Sequence, residues 1–307
     1  MVKAPRFQWS FLYPKYWLLW LGCALMWLIS WLPYGALMKL GDGLGLLLLK
    51  ALKSRYKVAL RNIELCFPEQ STHEHQALVR ANFKESGRAL FDTIIAWWWP
   101  AWRIRKFAHL KGFEHIQAAH DEGKGVLLLA SHMLHLEAAG RVFGLTLPSV
   151  GFYRPHNNPL MDWLQYRGRI KANKYMIGKR EIKALMQALN EQEVCFYLPD
   201  QDYGRKKAEF VPFFAVPDAA TTTGTLLFAN GANCQVIPVI TSRLPGNQGY
   251  QVECLPAFED FPSGDDAADV RRVNQWVEQA VLRHPEQYMW LHRRFKTRPN
   301  PDDVGLY

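Results

Sequence analysis

Apolar and polar positions change rhythm once along this chain. From Phe107 onward, short apolar runs at 125–130, 149–153, 194–198, 234–241 and 250–255 predict strands, since each is brief and bounded by turn-forming or polar residues. Segments with helical character lie between the first four, at 136–145, 159–174, 179–190 and 219–230, and a last helix is expected over 271–283. Strands alternating with helices predict an α/β fold, a central mixed sheet flanked by helices, with its antiparallel part near Tyr250. Ahead of Phe107 the pattern is helical. Residues 71–95 read as one helix, opened by Ser71 as N-cap with Glu74 three positions on. Residues 41–60 read as an amphipathic helix whose Lys/Arg-rich face suits either anionic headgroups or plain solvent.

Residues 16–38 carry no charge at all. A helix crosses a hydrocarbon core of ~30 Å with ~20 residues, so this stretch is long enough to span. Trp17, Trp20, Trp27 and Trp31 are anchors of the kind found at membrane interfaces, while Gly22, Pro33 and Gly35 interrupt the run. A membrane-associated hydrophobic helix is the expectation; whether it spans or lies in the interface stays open, and the bland alternative is a buried helix. No Ala-x-Ala-like cleavage site follows it. The basic residues after it (Lys39, Lys50, Lys53, Arg55, Lys57, Arg61) keep the bulk of the chain on the cytoplasmic side. The expected division is a membrane anchor at 1–40, a main domain at 41–300 and a loose tail at 301–307. The dense Trp97-Trp98-Trp99-Pro100-Ala101-Trp102 stretch suits either a headgroup boundary or the core.

Composition adds two constraints. The formal charge of +9, from 37 Lys+Arg against 28 Asp+Glu, favours anionic partners without choosing among them. Five scattered cysteines, an odd count with no Cys-x-x-Cys, predict a reducing compartment, no disulfide framework and no structural zinc. No nucleic-acid-binding module is recognisable.

Candidate chemistry gathers where the first predicted strand ends. His132 follows the apolar run, and Glu137 comes five residues later at the start of a helix. Ligands in open α/β sheets bind beyond the carboxyl ends of strands. Histidine is the commonest general base, and a carboxylate orients it and stabilises its protonated form. Positions five apart do not meet on one straight helix, so the pair requires His132 in the turn and Glu137 in the first turns of the helix. With no Gly-x-Ser-x-Gly elbow, the base would activate a hydroxyl brought by a substrate. A metal held by His132, His135 and Glu137 is the competing reading, against which stands the lack of a His-Glu-x-x-His helix. Other strand ends are polar too: Arg154 lies past one, with Arg167 and Arg169 on the next helix, and Asp200 and Asp202 lie past another. Each alone would be a solvated loop.

These motifs resemble the late acyltransferases of lipid A biosynthesis, the lauroyl/palmitoleoyl group of Gram-negative bacteria, within the glycerolipid acyltransferases whose signature is His-x-x-x-x-Asp. The resemblance rests on Pro14 to Leu18, Asn62 to Pro68, His132 to Glu137, Tyr153 to Asn158, Pro199 to Gly204 and, most specifically, Glu286 to Pro299. The acid of the signature is Glu137 here. The resemblance implies that 41–300 is an acyltransferase catalytic domain. It implies a fatty acyl donor on acyl carrier protein and, as acceptor, a hydroxyl of a Kdo-bearing lipid A precursor. His132 and Glu137 would be catalytic, working without an acyl-enzyme; Arg169, Arg154 and Asp200 would contact substrate or support the site. It implies no metal and no redox cofactor, no nucleic acid, and a place at the bacterial inner membrane with the catalytic domain on the cytoplasmic face. Laurate is the default chain, with palmitoleate and myristate open. An acyl thioesterase or lipid hydrolase using the same dyad is the alternative.

Overall fold

The computed structural model describes residues 3–178 and 180–307. A helical N-terminal part comprises α1 (Trp17–Ser30), α2 (Tyr34–Ala51), α3 (Lys53–Cys66), α4 (Thr72–Trp98) and the short α5 (Ala101–Arg105). The α/β part follows as β1 (Ala108–Lys111), α6 (Phe113–Asp121), β2 (Gly125–Leu129), α7 (Leu136–Gly144), β3 (Ser149–Tyr153), α8 (Pro159–Arg169), β4 (Asn173–Gly178), α9 (Ile182–Asn190) and β5 (Val194–Tyr197). After these come β6 (Ala208–Phe213), β7 (Val216–Thr222), α10 (Gly224–Gly231), β8 (Cys234–Leu244), β9 (Gly249–Cys254) and α11 (Asp266–Arg283).

The main sheet has the order β1-β9-β8-β2-β5-β3-β4. Its pairs are parallel except β8 with β9, so the antiparallel part lies at Tyr250 as its sequence implied. All five residues of central β2 are buried, which is what a continuous apolar run means in a strand covered on both faces. Alternate side chains then enter different cores. Leu127 and Leu129 join the core built with α3, α9 and α11, whereas Val126 and Leu128 join the one built with α2, α6 and α7. The long helix α4 serves both, with Val79 and Phe83 in the first and Phe91, Ile94 and Ile95 in the second. Its start is the expected capping box: Ser71 accepts from the Glu74 backbone and Glu74 accepts from the Ser71 N–H.

The uncharged run at 16–38, expected to form one membrane-associated hydrophobic helix, is the main correction. Pro33 removes an N–H and disfavours helical geometry before it, so the uncharged run breaks between α1 and α2. The 14 residues of α1 reach about 21 Å at 1.5 Å per residue, well short of a hydrocarbon core. No helix among the described residues is long and apolar enough to cross a membrane. The segment is nevertheless far from buried. Leu18, Leu21, Leu25, Leu28 and Leu32 are exposed and fall three and four positions apart, flanked by exposed Trp17, Trp27 and Trp31. A boundary at residue 40 also falls inside α2, whose Tyr34, Leu37 and Met38 belong to the core. The chain's end is tied down, not loose: Arg61 Nε donates to the Leu306 carbonyl at 2.8 Å, and the Tyr307 hydroxyl bonds Asn62. Of the tryptophan-rich stretch, Trp99 is core and Trp102 is exposed.

Smaller differences have local causes. The helix expected over 159–174 ends at Arg169 and hands over to β4. The expected helix at 219–230 is strand β7 up to Thr222 and helix only from Gly224. Lys179, the expected start of the next helix, lies outside the described residues; α9 begins at Ile182.

Candidate active site

The parallel pairing of β2 with β5 brings two loops together at the carboxyl edge of the sheet. The loop after β2 carries His132, and the loop after β5 carries Asp200. His132 lies before α7, and Glu137 lies in its first turn, as the spacing required. The Asp200 carboxylate grips His132 twice: Oδ2 accepts the His132 backbone N–H at 2.8 Å, and Oδ1 lies 2.6 Å from Nδ1. The Asp200 side chain is fully buried and that of His132 is 18% exposed, so one partner is dry and the other reachable. Desolvation acts to raise the Asp200 pKa, but attraction to His132 and the hydrogen bonds to it hold it below the ordinary carboxylate value. With Nδ1 occupied, Nε2 is the nitrogen left for a substrate.

Glu137 has other partners. Its Oε1 accepts from Arg169 Nε at 2.8 Å, and Oε2 accepts from Trp97 Nε1 at 3.3 Å. The hydrogen bond that sequence spacing assigned to Glu137 is thus made by Asp200. Arg169 comes to the site through this ion pair, whereas Arg154 is exposed beyond β3 and lines neither cavity of the site. His135, weighed as a metal ligand, is fully buried with its ring 6.3 Å from that of Tyr250. Burial pushes its pKa down to about 3 against a weaker opposing effect of the Thr241 backbone. Among the described residues, no three His, Cys, Asp or Glu side chains are placed to share a metal ion.

The segment after α11 holds the loop that carries His132. The Leu134 N–H donates to the Gln287 carbonyl at 2.8 Å, and the Met289 N–H donates to the His132 carbonyl at 3.1 Å. That segment is itself pinned by two buried amides. Asn62 Nδ2 donates to the Trp290 and His292 carbonyls at 2.7 Å each, and Asn82 Nδ2 donates to those of Glu286 and Tyr288 at 2.8 and 2.7 Å. The Tyr288 hydroxyl donates to the Asp200 carbonyl at 3.3 Å, and Asp202 accepts from the Thr297 N–H and hydroxyl at 2.8 Å each. Asn82 and the role of Asn62 escaped sequence reasoning, because a polar residue on a helix declares no partner some 200 positions away.

His132 opens onto a cavity of about 1080 Å³ walled mainly by apolar groups, among them Phe152, Met186, Leu198, Leu226 and Phe228, with Arg180 and Lys207 as cationic members. Glu137 and Arg169 line a smaller cavity of about 230 Å³, which shares Phe152 and Leu198 with the first. The arrangement places a carboxylate-partnered imidazole at the edge of a large, mainly apolar space.

The sequence model of the family described as bacterial lipid A biosynthesis acyltransferase matches residues 4–297. The chain is 44% identical over 299 residues to the lipid A biosynthesis lauroyltransferase of Escherichia coli (strain K12), which covers 97% of this chain and 98% of that protein. It is 41% identical to the lipid A biosynthesis palmitoleoyltransferase of the same organism, over 97% of each chain. It is 42% identical to a lipid A biosynthesis acyltransferase of Haemophilus influenzae, over 99% of this chain and 98% of that one. This protein belongs to the bacterial lipid A biosynthesis acyltransferase family and is an O-acyltransferase.

Proposed function

We propose that this enzyme moves a lauroyl chain from acyl carrier protein to a hydroxyl of a Kdo-bearing lipid A precursor, at the cytoplasmic face of the bacterial inner membrane. The observation that carries this reading is His132, poised by a buried carboxylate at the mouth of a large apolar cavity. Nε2 takes the proton of the acceptor hydroxyl as its oxygen attacks the thioester carbonyl. The tetrahedral intermediate collapses, breaking the C–S bond, and the imidazolium returns its proton to the departing thiolate. Asp200 and His132 together recreate the carboxylate–imidazole half of a triad, with the substrate hydroxyl in place of a protein nucleophile. The apolar walls suit the acyl chain, and Arg180, Lys207 and Arg169 suit anionic groups on donor or acceptor.

Membrane placement rests on α1. Its exposed leucine stripe with flanking indoles is too large an apolar surface to leave in water, and it has the form of an interfacial helix, not a spanning one. The net charge of +9 favours both an acidic carrier and a phosphorylated glycolipid. The test is a panel of lauroyl, myristoyl and palmitoleoyl carrier-protein thioesters offered with the Kdo-bearing precursor, read by product mass. Preferred transfer of laurate supports the reading. Preferred palmitoleate or myristate would replace the donor, and free fatty acid with unmodified precursor would replace transfer by hydrolysis.

A further inference from the structure

We propose that Asp200 is the positioning residue of the base, and that Glu137, the acid of the His-x-x-x-x-Glu stretch, works separately by holding Arg169. The inference rests on the acyl-transfer reading above and redistributes the roles within it. Three observations carry it. Asp200 meets His132 with both oxygens, one on the ring and one on the backbone N–H, so ring and main chain are fixed by a single carboxylate. Its side chain is fully buried, where a carboxylate acts strongly on an imidazolium that forms beside it. Glu137 spends one oxygen on the Arg169 guanidinium and the other on the Trp97 indole. A carboxylate neutralised by a guanidinium has little field left for a histidine.

The surroundings of His132 do not supply a rival. Asp200 faces it from the loop after β5. From the C-terminal segment comes His292, half-buried and pushed below its ordinary pKa by desolvation, then by Lys296 and by His132 itself. From α7 and α8 come Glu137 and Arg169, already paired. Sequence spacing favoured Glu137 because it is near in the chain. Strand pairing brings Asp200 nearer in space.

The test is nuclear magnetic resonance of the full-length protein in detergent, with 15N-labelled histidine and the His132 signals assigned by loss in His132→Gln. The wild type is expected to carry its ring proton on Nδ1, facing the Asp200 carboxylate. In Glu137→Gln that tautomer should persist, although transfer slows. In Asp200→Asn the amide oxygen should keep the His132 backbone N–H, so that its NH2 faces Nδ1 and the ring proton moves to Nε2. A tautomer that changes in Glu137→Gln overturns the proposal, and so does an unchanged one in Asp200→Asn. Should Asp200→Asn fail to fold, the comparison of wild type with Glu137→Gln still decides, because Glu137 is part-exposed and its loss leaves the core intact. The spectra need no substrate, so absence of acyl transfer in the wild type would sink the functional reading and leave this assignment to be judged by itself.

Discussion

Two histidines three positions apart do opposite things at the residue scale. His132 is reachable and charge-partnered; His135 is sealed in the core. Burial lowers the His135 pKa from the ordinary 6.5 to about 3, so the folded protein binds this proton less well than the unfolded chain. The stabilising contribution of neutral His135 is therefore complete above pH 6.5 and is lost as pH falls from there toward 3. Unfolding measured between pH 7 and 4 is expected to show His135 contributing a loss of up to about 1.4 kcal/mol per pH unit below pH 6.5. His135→Leu should flatten the curve by that amount, and an unchanged slope would contradict the burial argument. The position of His132 was legible, since an apolar run ending in a histidine marks a strand's carboxyl end. Its partner was not, because Asp200 lies 68 positions away and arrives only through the β2–β5 pairing.

At the scale of elements, α2 and α4 cross backbone to backbone. A Cβ on Gly45 would lie 2.2 Å from the Phe83 carbonyl oxygen, and one on Gly87 2.1 Å from that of Gly41, so the two backbones touch only because both faces are glycine. Gly45→Val is expected to force these helices apart at a cost of at least about 1–3 kcal/mol, seen as a lowered melting temperature. A melting temperature equal to wild type would contradict that contact. Nearby, Arg243 on β8 is buried between Glu85 and Asp92 of α4, and the Tyr250 hydroxyl donates to Asp92 at 2.5 Å, so the helix is locked to the sheet by charge as well as by packing. The long apolar strands were legible because a strand covered on both faces leaves nothing polar in its middle. The edge strands β1 and β4 were not, since each keeps exposed polar positions that blur the pattern. The small β6–β7 hairpin was missed for a related reason: its Pro, Asp and Thr residues do not read as strand until they pair.

For the whole molecule, the proposed placement at a membrane surface rests on the leucine stripe of α1 and the excess positive charge. Hydropathy alone marked this segment as membrane-seeking; it did not show that Pro33 would cut the run too short to span. Replacing Leu21 or Leu25 by Asp should weaken binding to anionic lipid vesicles by about tenfold each, given about 1.5 kcal/mol or more per buried leucine. Circular dichroism should be unchanged, because both side chains point to solvent. Vesicle binding equal to wild type would place the membrane contact elsewhere. The most direct measurement of the central claim is transfer itself. Wild type and His132→Ala are incubated with lauroyl acyl carrier protein and the Kdo-bearing lipid A precursor in vesicles, and the glycolipid is weighed by mass spectrometry. The wild type should add one lauroyl group, and His132→Ala should be slower by about 10²- to 10⁴-fold. Undiminished transfer by His132→Ala, or free laurate beside an unmodified glycolipid in the wild type, would contradict it.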